Sequence, residues 1–226
     1  MDFKNKTVLI TAARKDTGQR IALSFAKKGA KVIITARNKK DLNDTILKLK
    51  NINADFLALK LDVTSYKNCE TVIKKSLKKY GKIDYLINNA SGYLTGCNLQ
   101  DFSIKEIDNQ INSTYRGVIY MSKAILNHFI ENKTGVVVSM SSTAGIIEDY
   151  SNSALYSADK TAIIKFSKTM NEDFSSKGIK FRCIIPDSIR EKKSKDSISF
   201  ENVCNTIMMQ CYELNNEKLQ TITLKP

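Results

Sequence analysis

Short runs of apolar, mostly β-branched residues alternate with longer amphipathic stretches along the whole chain. TVLIT (7–11) and KVIIT (31–35) are continuous apolar runs, as strands buried on both faces require. Strands are expected over 6–12, 31–36, 55–61, 83–88, 135–140, 179–185 and 221–224. Helices are expected over 18–28, 39–50, 66–80, 104–131, 154–177 and 200–213, with Gly29, Gly81, Gly135 and Gly178 punctuating helix ends. Such alternation predicts an α/β fold: a doubly wound parallel sheet of about seven strands with helices on both faces. No internal repeat, low-complexity tract or linker interrupts it, so residues 1–226 read as one domain.

Composition removes several function classes. The 36 Lys+Arg outnumber the 23 Asp+Glu, for a net charge of +13, which can attract nucleic acid, anionic lipid or a phosphorylated ligand. The excess is spread along the chain, and its densest cluster (Lys74, Lys75, Lys78, Lys79) has helical spacing and no interleaved aromatics. That pattern is a solvated helix face and argues against nucleic acid as a partner. The five cysteines (69, 97, 183, 204, 211) form no CxxC pair, so they read as buried inert thiols, with neither a disulfide framework nor a zinc site. His128 is the only histidine and is expected on a helix surface near its C-terminal end. No apolar run reaches the ~18 residues of a membrane span, and the first residues lack the pattern of a secretory signal. A cytoplasmic location is expected.

In a doubly wound sheet the ligand lies beyond the carboxyl ends of the strands, at the switch point. The first strand–helix turn there reads Thr11-Ala12-Ala13-Arg14-Lys15-Asp16-Thr17-Gly18. A dinucleotide turn uses glycines so that the backbone can approach the pyrophosphate, and only Gly18 is present. The second strand ends Ala36-Arg37-Asn38. An acidic residue at this place would hold the ribose 2′-OH of NAD, whereas an arginine suits the 2′-phosphate of NADP. Arg37, with Lys15 in reach of the same phosphate, favours NADP.

Tyr156 and Lys160 stand at i,i+4, on one face of a helix. They follow Ser139-Met140-Ser141-Ser142-Thr143-Ala144-Gly145 at the end of an apolar strand. A tyrosine hydroxyl has an ordinary pKa near 10 and is a poor acid–base group at neutral pH. A nearby ammonium favours its phenolate and brings it towards the working pH. Ser142 would hydrogen-bond a reacting carbonyl oxygen, and Tyr156 would pass its proton while hydride moves to or from a nicotinamide.

Together these residues resemble the short-chain dehydrogenase/reductase family over nearly the whole chain. They are Thr11…Gly18, Leu61-Asp62-Val63-Thr64, Asp84-Tyr85-Leu86-Ile87-Asn88-Asn89-Ala90, Ser141-Ser142-Thr143-Ala144-Gly145, Tyr156…Lys160 and Gly178-Ile179…Pro186. The resemblance implies a Rossmann fold with a seven-stranded sheet and a nicotinamide cofactor: NADP(H) by preference, with NAD(H) as the alternative. By the family pattern, Thr11, Lys15, Thr17, Gly18 and Arg37 serve the phosphate end. Asp62 and Val63 serve the adenine, Asn89 and Ala90 line the cofactor, Tyr156 and Lys160 meet the nicotinamide ribose, and Pro186 and Ile189 reach the carboxamide. The implied activity is reduction of a carbonyl (ketone, aldehyde, 3-oxo acid or carrier-bound intermediate) in a homodimer or homotetramer formed through the helices at 104–131 and 154–177.

Several positions depart from the family pattern. Ala12 and Asp16 replace glycines of the first turn, and Asp16 brings a carboxylate near the pyrophosphate. Thr114 takes the fourth catalytic position, where the family's helix asparagine supports a kink and a proton-relay water; Asn112 lies two residues too early. Asp187 replaces the glycine after Pro186, and Arg182 stands where Asn is usual. The lid at 187–200 is short and polar around 191–196, which implies an open site. On these departures rests a second reading, a Rossmann pseudoenzyme acting as a binding or regulatory module.

Overall fold

A computed structural model of the chain describes residues 1–96, 98–147, 151–191, 197–213 and 216–226. In chain order it contains β1 (Thr7–Ile10), α1 (Asp16–Lys27), β2 (Lys31–Ala36), α2 (Asn43–Asn51), β3 (Phe56–Lys60), α3 (Tyr66–Tyr80) and β4 (Tyr85–Asn88). There follow α4 (Ile104–Ile111), α5 (Gly117–Asn132), β5 (Gly135–Met140), α6 (Ala154–Phe174), β6 (Ile179–Pro186), β7 (Ile189–Arg190), β8 (Ile198–Ser199), α7 (Phe200–Tyr212) and β9 (Thr221–Leu224). Seven strands form one parallel sheet in the order β3-β2-β1-β4-β5-β6-β9. The order reverses between β1 and β4, which places the ligand crevice of this Rossmann fold at their carboxyl ends.

Successive side chains of a strand point to opposite faces, so a continuous apolar strand feeds two cores at once. Val8 and Ile10, Val32 and Ile34, and Val136 and Val138 pack with Ile21 and Phe25 of α1, Leu49 of α2 and Ile207 of α7. Leu9, Ile33, Leu86 and Val137 pack on the other face with Val72 and Ile73 of α3 and Met121, Ile125 and Phe129 of α5. Helices over both faces leave these strands no wet side, which is why they carry no polar alternation.

The helix expected over 104–131 is interrupted. Between α4 and α5 the chain makes a π-turn at Asn112–Arg116, the kind of local bulge that re-aims a helix at a functional site. His128 is half-buried and sits against the start of β4: its Nε2 lies 3.2 Å from both the backbone N and the backbone O of Ile83. The lid region is pinned at both ends by the two-residue parallel pair β7–β8, which no sequence period announces. Cys69, Cys183, Cys204 and Cys211 are buried and free, and burial pushes their thiols up, to about 12 for Cys69 and Cys183 and about 11 for Cys204. Cys97, residues 148–150 of the loop before α6, and the polar lid run at 192–196 lie outside the described residues. No helix among the described residues is long and apolar enough to cross a membrane.

Arg182, in the middle of β6, is 2% exposed. Its guanidinium donates to the carbonyls of Gln210 and Glu213, the latter at 2.8 Å. It therefore caps the carbonyl end of α7, where the helix dipole is negative, and ties α7 to the sheet. Arg182→Met would leave the buried Gln210 carbonyl and the Glu213 carbonyl without their charged donor. Urea unfolding is expected to show a loss of about 3 kcal/mol. A loss within about 0.5 kcal/mol, typical of a surface change, would show that α7 does not depend on this cap.

Candidate active site

The first turn holds its shape through a set of hydrogen bonds to β4. Thr11 Oγ1 accepts from the backbone N–H of Asn89 and of Ala90, both at 2.9 Å. Asn89 Nδ2 donates back to the carbonyls of Thr11 (3.1 Å) and Ala12 (3.2 Å). Ala12 and Asp16, which replace glycines, adopt left-handed φ values of 53° and 47°. The turn therefore keeps its conformation at some backbone cost, smaller for Asp than for most residues. Gly18 has no substitute: a Cβ there would lie 2.4 Å from Ala12 O and 2.7 Å from Asn89 Nδ2. Asp16 pairs with Lys15, with 3.4 Å between carboxylate and ammonium on the exposed surface, so its charge has a local counterion.

Two cavities adjoin the segment after β4, and the larger also reaches this turn. The larger, about 520 Å³, has Ala12, Ala36, Leu61, Val63 and Ala90 as apolar lining, with Arg14 and Arg37 exposed beside them and Glu106, Asn109, Gln110 and Ser113 of the α4 region also in its wall. The smaller, about 340 Å³, is lined by Ser142, Tyr156, Lys160, Asn89, Pro186 and Ile189, among others. Ser91, Gly92 and Tyr93 line both, so the cavities meet along one loop.

The smaller cavity joins the end of β5 to α6. Ser141 and Ser142 separate in role: the buried Ser141 Oγ donates to Lys160 O at 2.8 Å, fastening the strand to the helix. Ser142 Oγ accepts from Ala144 N at 3.2 Å, which leaves the hydroxyl proton to donate. Lys160 is 3% exposed and its Nζ donates to Met140 O at 3.0 Å, lying 5.4 Å from the Tyr156 ring centroid. Burial lowers the Lys160 ammonium to about 8, against opposing effects of Cys183 and Asp159. The Tyr93 ring stands edge-on to Tyr156, with 5.1 Å between centroids. Thr114, fully buried in the π-turn, accepts at Oγ1 from Gly92 N at 2.8 Å, so it braces the shared loop and does not line either cavity. Asp187 Oδ1 accepts from Ser188 N at 2.7 Å, which occupies one of its oxygens locally.

Of the residues singled out in the sequence, Ser142, Tyr156, Lys160, Asn89, Pro186 and Ile189 gather around the smaller cavity, and Arg37, Val63 and Ala90 around the larger. Thr11, Lys15, Thr17, Gly18 and Asp62 line neither. Thr11 and Gly18 shape the turn, and Asp62 Oδ1 accepts from Thr64 N and Oγ1. Arg14, one residue before Lys15, is the basic group of the turn that lines the larger cavity, and Tyr93 and Gln110 are further wall residues. Register within a left-handed turn has no signature in sequence, and Tyr93 lies in a loop with no period. At the lid, Arg20 of α1 pairs with Glu191 and its guanidinium lies 4.6 Å over the Phe200 ring, so α1 holds both ends of that segment.

Known proteins place this architecture. The family model for short chain dehydrogenases matches residues 6–201. A rat dehydrogenase/reductase, SDR family member 6, is 32% identical over 187 residues, covering 83% of this chain and 72% of the relative. An uncharacterized oxidoreductase of Thermotoga maritima is 28% identical over 192 residues, 85% of this chain and 75% of its own length. The crystal structure of a short chain dehydrogenase from Mycobacterium smegmatis superposes with a TM-score of 0.89 at 23% identity, covering 100% of this chain and 95% of that one. With the matched fold and the family model over most of its length, the chain belongs to the short-chain dehydrogenase/reductase family of oxidoreductases, whose members use a nicotinamide cofactor.

Proposed function

We propose that the chain is a single-domain (1–226), cytoplasmic, homo-oligomeric NADP(H)-dependent reductase of a carbonyl substrate, small or carrier-bound. The observation that carries this reading is the union of two cavities along one loop. One holds Ser142, Tyr156 and Lys160; the other holds Arg14 and Arg37 beside an apolar lining. An apolar lining of Ala36, Leu61, Val63 and Ala90 suits a purine, and two guanidinium groups suit a 2′-phosphate. Thr11, Lys15, Thr17 and Gly18 build the turn for the pyrophosphate. Asp62 and Val63 serve the adenine end, Asn89 and Ala90 line the middle, and Pro186 and Ile189 meet the carboxamide. The nicotinamide, when bound, supplies or accepts the hydride.

The chain's own residues handle the rest of the reaction. Ser142 donates a hydrogen bond to the carbonyl oxygen, keeping its proton, and so polarises the carbonyl. Tyr156 gives that oxygen its proton in reduction and takes it back in oxidation. The Lys160 ammonium favours the phenolate left on Tyr156 and holds the ribose. Thr114 serves through the loop it braces. The pseudoenzyme reading loses support from the pairing of Asp16 with Lys15 and from the π-turn that persists with Thr114 in place of asparagine.

Three measurements test the proposal. Tyr156→Phe is expected to cut turnover of small ketones and aldehydes by about 10²-fold or more and to leave the NADPH dissociation constant nearly unchanged. A variant that keeps most of its rate would dismiss Tyr156 as the acid. Arg37→Asp is expected to weaken NADPH binding by about 1.5–3 kcal/mol and to shift preference towards NADH. An unchanged preference would place the 2′-phosphate elsewhere.

Lys160 gives a pH test. Its folded pKa of about 8 lies below the ordinary 10.5, so the unfolded chain binds the proton more tightly. The buried ammonium thus costs stability fully below pH 8, and the cost fades as pH rises towards 10.5. Lys160→Met should abolish turnover yet stabilise the fold at pH 6–7, by about 3 kcal/mol, with the gain shrinking in alkaline buffer. A gain independent of pH would show that the lysine is not buried in its charged form.

A further inference from the structure

The loop shared by the two cavities has no regular secondary structure of its own, and a buried polar chain behind it reaches α6. Gln110 of α4 is 2% exposed. Its Oε1 accepts from Leu94 N at 3.1 Å, which fixes the amide so that Nε2 points the other way. That Nε2 donates to Asp159 Oδ2 at 2.9 Å and lies 3.2 Å from Thr114 Oγ1, the same oxygen that accepts from Gly92 N. Asp159 is 6% exposed and immediately precedes Lys160 on α6. The backbone seats closely on this support: a Cβ at Gly92 would lie 2.5 Å from Gln110 Oε1. Between the two braced amides stands Tyr93, 71% exposed, its ring edge-on to Tyr156.

Resting on the assignment of the smaller cavity as the carbonyl pocket, we infer that Asp159 and Gln110 are positioning residues that hold loop 91–94, and with it Tyr93, as a fixed side wall of that pocket. The carboxylate is suited to this task because it only accepts. It pairs only with the Nε2 end of the Gln110 amide, which leaves Oε1 for the Leu94 N–H and Gln110 with one stable orientation. The strut makes Tyr93 a specificity-determining residue. A planar aromatic carbonyl compound would meet the exposed Tyr93 ring while its oxygen meets Ser142 and Tyr156.

The test combines amide hydrogen exchange with turnover, using 9,10-phenanthrenequinone and NADPH as probes on the full chain. Asp159→Leu and Gln110→Leu are expected to speed exchange at Gly92 and Leu94 about tenfold while the strands of the central sheet stay protected. Asp159→Asn keeps an acceptor oxygen and should exchange like the unmodified protein. In the leucine variants KM for the quinone should rise severalfold, by more than kcat falls. Unaltered loop exchange in both leucine variants, or an Asp159→Asn variant as damaged as Asp159→Leu, overturns the strut. Faster exchange with an unchanged quinone KM overturns the wall. If the unmodified protein reduces neither the quinone nor small ketones and aldehydes yet the exchange pattern appears, the reductase assignment fails and the tether stands; if it reduces only the small carbonyls, the aromatic wall is overturned.

Discussion

The hydrogen bonds between Thr11 and the Asn89–Ala90 backbone hold together the two strands on which the site depends. The sheet order reverses between β1 and β4, which pair side by side, so their two carboxyl ends reach a common depth. One hydroxyl accepting two backbone N–H groups continues that pairing past the strand ends, and the Asn89 amide returns the contact to the turn. Gly18 then lets α1 descend onto the same point, because even a methyl group there would strike Ala12 O. Both cavities start from this junction. A looser junction would separate the arginines from the tyrosine–lysine pair.

The second constraint is charge in a dry place. Lys160 is buried with one backbone carbonyl as a hydrogen-bond partner, and Asp159 beside it is buried as well. Burial lowers the ammonium and raises the Asp159 carboxyl, in each case against the pull of the other. A fold accepts such a cost where the charge has work to do. Here the ammonium faces the tyrosine, and the carboxylate is spent on Gln110. The two neighbours on one helix therefore serve opposite sides: one the reacting group, the other the loop that walls it.

The departures from the family pattern acquire local explanations. Asp16 accepts the left-handed conformation that glycine would take and meets Lys15 at the surface. Thr114 cannot reproduce an asparagine amide, yet its single oxygen accepts the Gly92 N–H, and the π-turn persists. Arg182 is explained by α7, whose carbonyl end it caps. Each of these three side chains finds its polar partners within this chain.

From the amino-acid order alone follow the sheet, most of the helices and the pairing of Tyr156 with Lys160. Continuous apolar runs read as doubly buried strands, alternating and amphipathic segments as edge strand and helix, and the expected bounds of β2, β5, β9 and α3 match to the residue. Tyr156 and Lys160 share a helix face through i,i+4 spacing, a local property that needs no tertiary information. Tertiary structure alone decided which groups face the cavities. Arg14 and not Lys15 lines the larger one, because orientation within the turn is set by contacts with β4 that lie more than seventy residues away. The break at Asn112–Arg116, the β7–β8 pair and the Asp159–Gln110 strut depend likewise on partners from distant segments. Periodicity reports how a segment meets the core; it carries no record of which distant donor meets which acceptor.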